Sequence, residues 1–198
     1  MRAKKKKSKK IVFVTSNGGK LREARGVLEP FGIKVAGKAL HLEEPQTDDV
    51  RAIALAKAEQ ALRAVRAPVI VEDTGIFFEA CRNFPGAYAR PFVTGVGLEG
   101  VLRLLNGARV SRAAFFQSIV AFAAPKAVPR VFIGRCYGTI TKKRTGKAHH
   151  ARLPYDEIFV PNGARGARTF AEMSVAEKAK LSHRAKALKA FGYWYSKR

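Results

Sequence analysis

Apolar residues in this chain gather into short runs parted by small and charged residues. Ile11-Val12-Phe13-Val14-Thr15 is a continuous β-branched and aromatic run of the kind that forms a buried strand. Beyond Ser16-Asn17-Gly18-Gly19-Lys20 the spacing changes, and Leu21, Ala24, Val27, Leu28 and Phe31 mark the face of a helix. Ile33 to Ala36 reads as a short edge strand. A second helix is expected to begin with Asp48 as its N-cap, with Val50, Ile53, Ala54, Ala61, Leu62 and Val65 as its apolar stripe. Pro68 then opens another buried strand, Val69-Ile70-Val71, which is expected to stop where Glu72-Asp73-Thr74-Gly75 begins.

The second half is more β-prone. Ile76-Phe77-Phe78 is apolar, residues 83–90 form a turn-rich loop ending in Arg90, and Gly97 to Leu105 reads as a short helix. Phe115–Ala123 and Arg130–Thr141 are long strand-like runs. Pro125 and Pro129 between them favour a hairpin over a helical crossover, so the sheet should be mixed. Lys142 to Arg152 is a basic loop whose His149 and His150 lack the acidic or cysteine neighbours of a metal site and stay unassigned. Near the end, Ser174 with Glu177 three residues on forms a capping box. Residues 178 and 184 lie about 600° apart on a continuous helix at ~100° per residue. A break near Leu181-Ser182, with Ser182 capping a second helix, would let His183 and Arg184 approach the same ligand as Lys178.

Composition adds limits. The 198 residues, 47% hydrophobic and 27% charged, suit a globular protein with an ample core. No apolar run approaches the ~18 residues of a membrane span, and the charged N-terminus does not read as a secretory signal. Two cysteines do not make a disulfide framework. The expectation is a reduced, cytoplasmic protein with a basic disordered arm at 1–10 and one domain from 11 to 198.

The net charge of +23 is unusual. Residues 1–10 hold seven Lys and Arg, and without them the body is still +16 (23 less seven). Such a field draws polyanions, whether nucleoside phosphates or nucleic acid. The arm is a candidate for non-specific RNA contact.

The chemistry-bearing residues sit where runs end. Ser16 to Lys20 joins a strand to a helix, a layout that can offer backbone N–H groups and a helix N-terminus to an anion, or serve as an ordinary turn. It lacks the spacing of a Walker A loop. Glu72 and Asp73 are adjacent, so on an extended backbone they face opposite sides, one toward a site and one toward a supporting partner. A solvated acidic loop is the plainer alternative.

Four motifs in order resemble the inosine triphosphate pyrophosphatase family from Ile11 to about Leu188. They are Thr15-Ser16-Asn17-Gly18-Gly19-Lys20; Glu72-Asp73-Thr74-Gly75 with Pro85-Gly86-Ala87-Tyr88-Ala89-Arg90; Tyr155-Asp156 with Ile158-Phe159; and Thr169-Phe170-Ala171-Glu172-Met173 with Glu177-Lys178 and Ser182-His183-Arg184. The resemblance implies an α/β fold, elongated and two-lobed on a long mixed sheet with flanking helices, and an active-site groove between the lobes. It implies Mg²⁺-dependent hydrolysis of non-canonical purine nucleoside triphosphates such as ITP, dITP and XTP to the monophosphate and pyrophosphate, by a homodimer.

By the same resemblance, Asp73 is catalytic and, with Glu44, holds the metal. Thr15, Ser16, Asn17, Lys20, Lys57, Thr74, Arg90 and Lys178 contact the phosphate end of the substrate. Leu153, Tyr155, Asp156, Ser182, His183 and Arg184 enclose and read the base. The chain departs from the family at Arg152-Leu153-Pro154, where Gly-Phe-Gly is usual, and at Glu157, where proline is common. Leu153 thus replaces a base-stacking aromatic, a contact worth roughly 1–3 kcal/mol. The competing expectations are a Maf-like pyrophosphatase with another base preference and a basic RNA- or ribosome-associated binding protein.

Overall fold

The computed structural model describes residues 9–106, 111–148, 150 and 153–198. In chain order it contains β1 (Lys9–Val14), α1 (Gly18–Leu28), β2 (Ile33–Lys38), α2 (Val50–Val65), β3 (Val69–Phe78), β4 (Pro85–Gly86), α3 (Ala89–Leu104), β5 (Ala113–Ala123), β6 (Arg130–Ile140), β7 (Phe159–Pro161), α4 (Val175–Leu181) and α5 (His183–Ser196). The strands form one mixed sheet in the order β2-β1-β3-β5-β6-β7, with β4 beside β3. β1 runs parallel to β2 and β3, and every later pairing is antiparallel.

Alternation along the strands sorts the core onto the two faces of this sheet. Val69 and Val71 of β3 join Ile119, Ala121 and Ala123 of β5 beneath α2, packing on Val50, Ala54, Ala58 and Ala61. The other face carries two separate clusters. Ile11, Phe13, Ile70, Val120 and Phe122 pack under α1 and α5. Farther along, Ile76, Phe78, Ala114 and Phe116 pack with α3, Tyr155, Phe159 and Phe170. Between these two lobes, Glu72, Thr74 and Ser118 interrupt the apolar surface at mid-strand.

Several expectations hold. The β5–β6 hairpin forms as the two prolines suggested, and the capping box opens α4. The helix also breaks where expected: Ser182 is extended, with φ −67° and ψ 146°, and its hydroxyl accepts from Ala185 N to cap α5.

Four details differ. Lys9 and Lys10, grouped with the arm by their charge, are the first residues of β1, and Lys9 pairs with Ile33. The cap of α2 is Asp49, whose side chain accepts from Arg51 N at 2.7 Å, rather than Asp48. β3 does not stop at Glu72-Asp73: its ladder with β5 runs unbroken from Val69↔Ala123 to Phe78↔Ala114. The strand continues because Glu72 is neutralised from the neighbouring helices and has no need of solvent. Finally, α3 starts at Ala89 and is interrupted at Gly97, whose φ of 65° only glycine adopts without strain. Pro91, Gly95 and the break at Gly97 hid its first half.

Candidate active site

Two structural devices set the positions of the charged groups. Asn17 caps α1, its Oδ1 accepting from Gly19 N at 2.9 Å and Lys20 N at 3.2 Å, while Thr15 Oγ1 accepts from Asn17 N at 3.1 Å. Lys20 is thereby held in the first turn, aimed across the sheet at β3. At the other end, α5 comes hard against β6 at Gly134. A Cβ there would sit 2.0 Å from the His183 carbonyl oxygen and 2.6 Å from Ala187 N. Only a bare backbone lets the first turn of α5 descend onto the sheet.

The result is a charge network on the polar strip between the lobes. Glu72 is buried, with Oε2 2.7 Å from Lys20 Nζ and Oε1 3.2 Å from Arg184 Nε. Ser118 Oγ donates to Glu72 Oε1 at 2.6 Å, and Thr74 Oγ1 donates to the same oxygen. Burial pushes the Glu72 pKa up, but Arg184 and Lys20 outweigh it and hold the carboxyl well below its ordinary range. Arg184 reaches Glu23 Oε2 at 2.6 Å, and Lys178 bridges Glu23 at 3.1 Å and Asp156 at 2.6 Å. Glu23 is drawn down to about 2, again against burial, by Arg184 and Lys178. Asp156 goes the other way, because its burial exceeds the pull of Lys178. Carboxylates and cations alternate through this strip, which keeps it near neutral.

His183 closes the same strip. Its ring stacks on Phe116 at 4.4 Å and 14°. Burial, then the Arg184 charge, drive its pKa well below 6.5, so it is neutral. Its Nδ1 is a buried nitrogen with no hydrogen-bond partner among the described residues.

Asp73 faces the opposite side of β3, as adjacent strand positions require. Its Oδ1 accepts from Thr74 N at 3.0 Å, and it forms no ion pair within 4.0 Å among the described residues. Burial raises its pKa despite the nearby Lys20 and Lys57 ammoniums, and Glu72 and Glu44 add to the rise. Lys57 lies in α2 with Nζ 2.7 Å from Glu44 Oε1. Burial opposes the Lys57 charge, but Asp73 and Glu44 overcome it and raise its pKa. Asp73, Lys57 and Glu44 thus form a second charged group, joined to the first through Lys20 and Glu72.

The remaining positions divide. Ser182 caps α5, and Ser16 is exposed on the turn before α1. Leu153 is half-buried and leads into the turn at Pro154–Glu157. Tyr155 packs its ring on Phe78 and Phe116 and donates its hydroxyl to Ala89 O at 2.8 Å. Arg90 is exposed in the first turn of α3, and no ion pair links it to the network among the described residues.

Three participants escaped the sequence reading. Glu23 follows Lys20 by three positions on α1, a same-face spacing that was the available signal. Ser118 is a lone hydroxyl within an apolar strand. His150 lies over the α1 turn: a Cβ on Gly19 would stand 3.2 Å from the His150 Cβ. Its loop is pinned by Glu157, whose Oε2 takes Nε and Nη2 of Arg144 at 2.9 and 2.7 Å and whose Oε1 accepts from Ala148 N at 3.2 Å. His149 and Arg152 lie outside the described residues.

Comparison with known proteins points one way. A family model described as Ham1 family matches residues 11–194. A Methanopyrus kandleri protein named dITP/XTP pyrophosphatase is 40% identical over 94% of this chain and 96% of its own length. One of the same name from Pyrococcus horikoshii is 38% identical over 93% and 96%. Among solved structures, the Staphylococcus aureus Ham1 protein superimposes with a TM-score of 0.78, covering 96% of this chain and 99% of its own at 24% identity. A nucleoside-triphosphatase / dITP/XTP pyrophosphatase from Mycobacterium abscessus gives 0.68, with 92% and 97% covered at 29% identity.

Proposed function

This chain belongs to the Ham1 family and is a nucleoside triphosphate pyrophosphatase, and we propose that its substrates are dITP, ITP and XTP, cleaved between the α and β phosphorus atoms. The observation that carries this reading is Asp73: a carboxyl with raised proton affinity beside two ammoniums, close to a capped, glycine-rich helix start. In the reaction, water adds to the α-phosphorus, the bond to the bridging oxygen breaks, and nucleoside monophosphate and pyrophosphate leave. Asp73 orients that water and accepts its proton, a task suited to a carboxyl whose pKa lies nearer neutrality than usual. Lys20, Lys57, Lys178 and Arg90 meet the phosphates, whose developing negative charge a preorganised set of cations stabilises. Thr15, Ser16, Asn17 and Thr74 supply neutral donors along the same path.

A divalent cation fits the acidic group. The described residues hold no cluster of three or more His, Cys, Asp or Glu able to bind a metal, but Mg²⁺ needs only one or two carboxylates when phosphates and waters complete its shell. Asp73, whose Oδ1 accepts from Thr74 N and which forms no ion pair among the described residues, and the exposed Glu44 are suitable oxygen donors. When bound, Mg²⁺ would screen the phosphate charge and polarise the scissile linkage. Base recognition is assigned to Leu153, Tyr155, Asp156, Ser182, His183 and Arg184. The unpartnered Nδ1 of His183 supports that assignment, because a buried polar atom without a partner costs stability until one arrives.

We place the enzyme in the cytoplasm as a homodimer. Both cysteines are free, and no helix among the described residues is long and apolar enough to cross a membrane. Phe84, Tyr88, Val96 and Leu104 are exposed apolar side chains around α3 available to a second copy. A panel of dITP, ITP, XTP, GTP and ATP with Mg²⁺, scored by pyrophosphate release, tests the substrate assignment. Turnover of 6-oxo purines well above ATP is expected, and equal rates on all five would remove base selection. Light scattering in solution tests the dimer.

A further inference from the structure

The active site does not account for the charge of this protein. Its cations Lys20, Lys57, Arg90, Lys178 and Arg184 are matched by Glu23, Glu44, Glu72, Asp73 and Asp156. Outside it remain 33 Lys and Arg (38 less five) against 10 Asp and Glu (15 less five). The excess is also unevenly spread, for no acidic residue occurs from Lys178 to Arg198. All of α5 falls in that stretch.

The inner side of α5 is committed to the core through Ala187, Leu188 and Phe191. Its outward residues Lys186, Lys189 and Tyr193 and the C-cap Lys197 follow at intervals of three, four and four, so they line one face. At ~1.5 Å per residue they span about 16 Å. Tyr193 is 64% exposed and is steadied by Phe31, edge to face at 5.1 Å. Beside it, Trp194 has the Arg198 guanidinium 4.2 Å and the Arg130 guanidinium 5.4 Å from its ring centroid. Lys9 Nζ donates to the carbonyls of Tyr195, Ser196 and Arg198 at 2.8, 3.1 and 2.7 Å, tying this end of the helix to β1. The platform is therefore tied to the body of the fold as well as basic.

We propose that the outer face of α5, with Arg130 and Arg198, binds single-stranded nucleic acid. A row of lysines suits successive phosphates, and an exposed aromatic among them suits a base, the combination used by sequence-tolerant single-strand sites. A membrane surface fits less well, since an interfacial helix must put an apolar face into the lipid and that of α5 is already buried. The binding face is separate from Asp73 and does not depend on which nucleotide the active site hydrolyses.

The test uses the full chain and a labelled single-stranded RNA of about 20 nucleotides, longer than the ~4–16 covered by a compact single-strand site. Affinity is measured across a salt series. Lys186→Gln, Lys189→Gln and Lys197→Gln combined should reduce the slope of log affinity against log salt by about 2, at roughly 0.7 per phosphate contact. Tyr193→Ala should weaken binding by about 5- to 150-fold. Nucleoside triphosphate hydrolysis by the triple variant should match wild type, which also confirms folding. An unchanged slope and affinity would overturn the proposal. So would displacement of the RNA by substrate triphosphate, which would put it in the catalytic groove, or binding to phosphatidylserine vesicles without binding to RNA.

Discussion

Glu72 and Asp73 are one position apart and electrostatically opposite. Glu72 is locked in its ionised form by Lys20 and Arg184, whereas Asp73 holds its proton more firmly than a free carboxyl. Asp73→Asn should lower kcat by about 100-fold or more without lowering Tm, since it removes a buried charge that forms no ion pair among the described residues. Activity within a few-fold of wild type would take Asp73 out of the mechanism. Glu23 offers a pH test. Its carboxyl falls from 4.5 to about 2 on folding, so its contribution to stability is complete above the unfolded value and disappears as pH drops toward 2. Wild type should exceed Glu23→Gln by on the order of 3 kcal/mol near neutrality, with the gap closing between about pH 4.5 and 2. Asp73 and Asp156 shift upward and act in the opposite sense; Asp73 is common to both proteins and cancels, whereas Asp156 is raised partly by Glu23 and relaxes in the variant, which narrows the gap. Denaturant unfolding at pH 7, 5, 4 and 3 measures the gap, and a constant difference would show that Glu23 is not held by Arg184 and Lys178.

At the level of elements, local chemistry made the helix starts readable. The Ser174–Glu177 box and the Ser182 cap both form, because a capping hydroxyl satisfies orphan N–H groups whatever the tertiary setting. The end of β3 was not readable: adjacent carboxylates look like a strand terminus until partners from α1 and α5 are known. Contacts between distant segments carry no local signal, and Gly134 is the clearest case. Gly134→Ala would place its Cβ 2.0 Å from the His183 carbonyl, where backbone cannot yield cheaply. The variant is expected to lift the first turn of α5 off β6, displacing His183 and Arg184 together. It should lower Tm by 10 °C or more, corresponding to roughly 3 kcal/mol or more in a protein of this size. It should also raise KM at temperatures where the variant is still folded. An unaltered Tm would mean that α5 does not rest on β6 as described.

For the molecule as a whole, the mixed sheet and its two lobes could be anticipated from the motifs, but the link across the lobes could not. That link is the basic loop after β6, held from below by Glu157 and reaching over Gly18 and Gly19 with His150. From sequence alone, Glu157 marked only a departure from the family pattern. In the fold, its side chain takes two hydrogen bonds from Arg144 and one from the Ala148 backbone, while Thr145 N donates to its carbonyl oxygen. The loop carries Lys142, Lys143, Arg144 and Lys147, which are trypsin sites, so its anchoring can be read directly by proteolysis. Glu157→Ala removes the three side-chain bonds and leaves Arg144 without its carboxylate. Cleavage between 142 and 147 should accelerate several-fold over wild type, because opening of a local segment governs its proteolysis. KM for the triphosphate should rise more than kcat falls, as the loop covers the start of α1 and not Asp73. Equal cleavage rates in the two proteins would show that the loop is held by other contacts. Faster cleavage with an unchanged KM would show that the loop is pinned by Glu157 but plays no part in closing the phosphate end of the groove.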